Sequence, residues 1–182
     1  MQNLTRSALT PIIAALLVLV GVFLLAQSCN IGAPPATPVE TCQVKAGEKT
    51  QCRFNNVGVT VEVPAQTRNR PLDLKASKPQ TTPTPDPKKN LNFTVIRAVI
   101  DLEVKSNNEP VTEFDPPLTL IMQYTDEDAR AAKGDPRNLK VFLFDGARWS
   151  NLVPDRVDTA AKTVTVLLKS LLGDKDPIGY DF

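Results

Sequence analysis

The sequence predicts an all-β protein: a single antiparallel β-sandwich preceded by an N-terminal hydrophobic helix. Three observations carry that expectation. Apolar and polar residues alternate over several short stretches, the period of a strand with one buried face. Clusters rich in Asn, Asp, Gly and Pro separate those stretches, as turns require. One long apolar run, Ile12 to Ala26, stands apart near the N-terminus, and the stretch from Ser7 to Val39 contains no Asp, Glu, Lys or Arg.

That run and its flanks define residues 1–29 as a signal or anchor segment. Arg6 and the free amino terminus lie before it, so the segment can enter hydrocarbon while its positive charge stays on the cytoplasmic side. Leu25-Ala26-Gln27-Ser28-Cys29 resembles a bacterial lipobox, which implies lipid attachment at Cys29. A retained transmembrane helix is the alternative, because the stretch from Ala8 to Ala26 approaches the roughly 20 residues that span a bilayer. Either anchor places the remaining chain on the outer face of a bacterial cell membrane. Residues 30–39, with Pro34, Pro35 and Pro38, then read as a proline-rich tether.

The cysteines agree with an external address. There are three, an odd number that assigns one a separate role in an exported chain. With Cys29 at the membrane, Cys42 and Cys52 remain as a disulfide pair bracketing QVKAGEKTQ. A turn at Ala46-Gly47 would bring two short strands side by side, and the bridge would staple that edge of the domain by about 2–3 kcal/mol. A zinc site is disfavoured, since the chain contains no histidine to complete a ligand set with two thiols.

Residues 40–182 are long enough for one extracytoplasmic sandwich with one core. Val57, Val59, Val61 and Val63 share one face of a strand that Pro64 ends. Strand patterns continue over 72–76, 93–105, 118–124, 139–144, 149–153 and 163–168. Asn107-Asn108, Asp115-Pro116-Pro117, Asp145-Gly146 and Asp158-Thr159-Ala160 divide them. About seven such strands make a β-sandwich, and Asp145-Gly146 is the strongest hairpin signal. One helix is expected, capped by Thr125, started by Asp126, Glu127 and Asp128, and closed by Gly134. Residues 78–89 form a proline-rich loop with Pro79, Pro83, Pro85 and Pro87, a candidate docking site for a partner. The tail from Gly173 to Phe182 reads as an addition to the sandwich.

The ordered series IDLEV (100–104), NNEPVTEF (107–114), DPPLTLIMQY (115–124), TDEDARAA (125–132), LKVFLFDGARWSNL (139–152) and VDTAAKTVTV (157–166) resembles the bacterial ZU-five-like β-sandwich. GVTVEVPA (58–65) is similar to that family's opening strand. The resemblance implies a sandwich fold over residues 58 to about 168. Some relatives cut their own chain at a His-Phe-Ser element near the end of the domain. Here Leu168-Lys169-Ser170 stands at that place, and without histidine the route lacks its proton acceptor.

Composition narrows the function classes. The chain carries 21 basic and 20 acidic residues, which leaves no electrostatic footprint for nucleic acid. The absence of histidine and of a glycine-rich phosphate loop disfavours an enzyme. Asp126-Glu127-Asp128 suits a helix start better than a calcium site, since successive helical residues point in different directions. Trp149, on a hairpin with Phe142 and Phe144, suits a core or inter-strand role better than an exposed binding role. The expectation is a non-catalytic, membrane-tethered binding or structural protein, a lipoprotein without cofactor or metal, that binds wall, glycan or, as the favoured partner, another envelope or membrane protein. The alternative is an accessory subunit of a larger membrane complex, held by a single span or a lipid.

Overall fold

In the computed structural model, which describes residues 38–65, 67, 69–81, 97–144, 148–172 and 176–181, the alternating stretches form two antiparallel sheets with one core between them. The strands are β1 (Val39–Val44), β2 (Thr50–Phe54), β3 (Val59–Val63), β4 (Leu72–Ser77), β5 (Arg97–Ser106) and β6 (Glu109–Pro110). They continue with β7 (Glu113–Gln123), β8 (Lys140–Phe144), β9 (Trp149–Leu152), β10 (Arg156–Asp158), β11 (Thr163–Ser170) and β12 (Asp176–Asp181). One sheet runs β1-β4-β5-β12-β8-β9, with β6 returning on β5, and the other runs β10-β11-β7-β3-β2. Thr37–Phe182 forms one compact unit.

Alternation explains the packing. Phe54, Val59, Met122, Val164 and Val157 stand in one row across all five strands of the second sheet. The opposing sheet presents Ile100, Ile178 and Leu143 in a row of its own. These side chains meet in the common core, and each fully buried aliphatic contributes about 1.5–3 kcal/mol relative to exposure. Asn107 and Asn108, at φ 52° and 65°, take the left-handed conformations of the β5–β6 turn, which Asn tolerates better than most residues.

The outer face of the first sheet carries a second cluster. Val141 and Leu143 belong to the main core, so their neighbours Phe142 and Phe144 face the other way. Trp149 lies opposite Phe144 with ring centroids 5.1 Å apart at 50°, and Val99 completes the group. Of the two roles expected for Trp149, core or inter-strand, the structure shows the inter-strand one, outside the main core.

Four expectations change in the structure. Cys42 and Cys52 are bonded, but their strands do not pair side by side: β1 pairs with β4 and β2 with β3, so the bridge joins the two sheets. Asp115-Pro116-Pro117 does not divide two strands. It lies within β7, where the register jumps from Ser170↔Glu113 to Leu168↔Leu118, and an irregular ladder accommodates residues that lack amide hydrogens. Asp176–Asp181 is no appendage but an inner strand between β5 and β8. Finally, Asp158, expected in the divider Asp158-Thr159-Ala160, ends the strand β10, which is not among the expected strands because three residues are too few to show a period.

The helix α1 (Asp126–Ala131) follows expectation. Thr125 Oγ1 accepts from the Asp128 amide at 3.2 Å, and the Asp128 carboxylate accepts from the Thr125 amide at 2.8 Å, a reciprocal capping box. Lys133 and Gly134, at φ 59° and 76°, turn the chain out of the helix, and the Gly134 amide donates to Ala129 O at 3.1 Å. Among the described residues no helix is long and apolar enough to cross a membrane. Residues 1–29 with Cys29, most of the 30–39 tether, Pro83, Pro85, Pro87 and the Asp145-Gly146 turn lie outside the described residues.

Candidate binding site

Two crossings between the sheets enclose an open cleft of about 690 Å³. The first runs from β7 to β8 through α1 and a short 3-10 turn, Pro136–Asn138, and supplies Ala131, Ala132, Lys133, Arg137 and Leu139. The second runs from β9 to β10 and supplies Val153, Pro154, Asp155 and Arg156. Both connections must span the thickness of the sandwich at the same end, and Pro154 removes an amide that would otherwise extend β9.

Local hydrogen bonds stiffen the first wall. Asn138 Nδ2 donates to Ala132 O at 3.0 Å, and the Asn138 and Leu139 amides donate to Asp135 O and Pro136 O, each at 3.0 Å. Asp135 Oδ1 accepts from both the amide and the Nε of Arg137, at 3.0 and 2.9 Å. On the second wall, Arg156 Nη2 donates to Asp158 Oδ2, and the Asp155 amide donates to Thr165 O at 2.8 Å. Each arginine is thus positioned by an aspartate two residues away. In the bond to Asp135 only the Nε of Arg137 is used, so its terminal nitrogens remain available as donors.

These aspartates are well-defined anions. The Arg137 side chain, then its amide, holds the Asp135 carboxyl below the usual range, and Asp135 in turn raises the Arg137 guanidinium. The Ala161 amide first, and the charge of Arg156 after it, lower Asp158. Lys133 and Lys140 also line the cleft, and among the described residues neither has an ion-pair partner. The floor is apolar: Ala132 and Leu139 are buried, Val157 is half-buried, and Val153 projects at the rim with 80 % exposure. Chemically the cleft presents a ring of donors and cations, two amide side chains (Asn138 and Asn151) and one lining carboxylate, Asp155, around an apolar base.

The residues singled out from sequence lie elsewhere. Cys42 and Cys52 form their bridge at the opposite edges of the sheet orders from β9 and β10. Pro79 is half-buried just after β4, while its partners in the proline-rich loop are outside the described residues. Asp126 accepts an ion pair from Lys162 at 2.7 Å, and Asp128 caps its helix, so these members of the acidic trio have partners within the fold. Among the described residues no cluster of His, Cys, Asp or Glu could hold a metal ion. The cleft itself was not expected, although one signal pointed to it: Lys133, Arg137 and Lys140 fall within eight residues of a chain whose charges otherwise balance.

Comparison with known families, with curated proteins and with solved structures returns no match. Function therefore has to be read from the chain's own chemistry.

Proposed function

We propose that this protein is a non-catalytic contact module, tethered by its N-terminal segment to the outer face of the bacterial membrane, where its sandwich binds another envelope or membrane protein. The observation that carries the reading is the open cleft lined from both crossings, with Arg137 and Arg156 each hydrogen-bonded to an aspartate two residues away, a surface suited to recognition. Two further features support the address. The Cys42–Cys52 disulfide belongs in an oxidising compartment, and the charge-free segment before the domain suits export and anchoring, through a lipid on Cys29 or as a retained span.

Fractionation of expressing cells tests the address. The protein is expected in the membrane fraction, with the domain cleaved by protease added to intact spheroplasts, and mass spectrometry should find either a lipid adduct on an N-terminal Cys29 or an intact residue 1–28 segment. A soluble protein protected from external protease would overturn the reading. Mild-detergent extraction then separates an accessory subunit, migrating at a fixed high mass, from a lipoprotein that engages its partner transiently.

A further inference from the structure

The cleft is lined by two chemistries, cationic and apolar. Lys133, Arg137 and Lys140 on one side and Arg156 on the other surround a floor of Ala132, Leu139 and Val157, with Val153 exposed at the rim. Resting on the reading of the domain as a contact module, we propose that this cleft binds an acidic segment of its protein partner, in which carboxylate side chains flank an apolar one.

Charge complementarity selects this occupant. Asp135 and Asp158 hold Arg137 and Arg156 without filling the cleft, while Lys133 and Lys140 add two cations that carry no partner among the described residues. Against these stands Asp155 as the lining carboxylate. An arginine already oriented by an aspartate loses less side-chain freedom when its remaining donors meet a carboxylate. A cationic ring alone would accept any polyanion. The apolar base adds the second requirement: Ala132, Leu139, Val157 and the exposed Val153 together line the cleft with apolar surface that a phosphate polymer or a uniformly charged glycan cannot use. A peptide with an aliphatic residue between acidic ones satisfies both.

The test uses the full chain in a non-ionic detergent and a fluorescein-labelled hexapeptide alternating glutamate with leucine. Two other probes accompany it: the same peptide with glutamine for glutamate, and inorganic polyphosphate. The acidic peptide is expected to bind at least about tenfold more tightly than the glutamine form, and to weaken as salt is raised. Lys133→Glu combined with Lys140→Glu should reduce affinity by about tenfold or more, and Val153→Asp by a similar factor, with both variants melting as the wild type does. These positions are exposed, so loss of binding at unchanged melting temperature reports the site rather than the fold. Equal binding by wild type and variants, or no preference for glutamate over glutamine, would overturn the proposal. Polyphosphate binding as tightly as the peptide and indifferent to Val153→Asp would also overturn it, in favour of a general anion patch. The address experiments are independent: a membrane-exposed domain whose cleft ignores the peptide keeps the contact-module reading and loses this site.

Discussion

Cys42 and Cys52, ten residues apart in the chain, reach toward each other from opposite sheets, with their Cα atoms 5.8 Å apart. Cys42 lies opposite Leu74 in the first sheet and Cys52 opposite Val61 in the second. The bridge therefore closes one open side of the sandwich, where β1 and β2 are the terminal strands of their sheets. Replacing both cysteines by alanine should destabilise the domain by about 2–3 kcal/mol, the effect of closing so short a loop. In a domain of this size that lowers Tm by about 4–12 °C. Calorimetry of the double variant, and of wild type with and without reductant, checks it; an unchanged Tm would show that the bridge adds nothing the sheets do not already hold.

The acidic start of α1 gives a second prediction, because capping and metal binding make opposite demands. Thr125 Oγ1 donates to Asp128 Oδ2 at 2.6 Å while accepting from the Asp128 amide, and the carboxylate is buried. Thr125→Ala should cost about 1–2 kcal/mol, and Thr125→Ser should restore most of it. Calcium or a chelator should leave Tm unchanged in all three proteins. A rise in Tm with calcium would assign the trio to a metal after all.

How much of this was legible depended on whether the deciding interactions were local. Val59, Val61 and Val63 declare a half-buried strand because the period of a strand is two, whatever it pairs with. Thr125 and Gly134 mark the helix ends for equally local reasons. The cysteine pairing followed from counting, but its placement between sheets did not, because which strands neighbour β1 and β2 is set by distant segments. The cleft was hidden for the same reason: Lys133 and Arg156 line one cleft only because two crossings end on one side of the sandwich. Its apolar base drew on residues such as Leu139 that sequence patterning assigns simply to a strand.

Stability should be flat from about pH 5.5 to 9, since the chain contains no histidine to titrate there. Acid removes specific contributions. Hydrogen bonding from Lys105 lowers Glu103, that from Lys162 lowers Asp126, and that from Arg137 lowers Asp135. A carboxyl lowered in the folded state contributes stability above its unfolded pKa and loses it as pH falls through the folded one, so Tm should decline below about pH 4. Burial raises the Tyr124 phenol, so the folded state holds that proton more tightly and stability should fall again above about pH 10. Asp126 is exposed whereas Asp135 and Glu103 are half-buried, so about 0.5 M salt should flatten the acid limb in part, through Asp126 first. A Tm that changes steeply near pH 6.5 would contradict this assignment.

The strand β12 gives the sharpest prediction, because its sequence argues against its position. Asp176-Pro177 and Gly179 are poor residues for an inner strand, yet β12 pairs with β5 on one side and β8 on the other. Pro177 is tolerated because the β8 ladder begins only at Ile178, so at its own level the strand is registered to β5 alone, opposite Asp101. Gly179 lies opposite Phe142 on the outer face, where a residue without a side chain leaves room beside the Val99, Phe142 and Trp149 cluster. Ile178 supplies the inward anchor: it is fully buried and stands between Ile100 and Leu143. Ile178→Ala should therefore cost about 2–5 kcal/mol, whereas the same change at the exposed Val39 should cost about 0.5 kcal/mol or less. Truncation before Asp176 should abolish cooperative unfolding, since it separates β5 from β8 and leaves both inner edges unpaired. A truncated protein that still melts cooperatively near the wild-type temperature would return these residues to the status of an appendage and require β5 to pair with β8 directly.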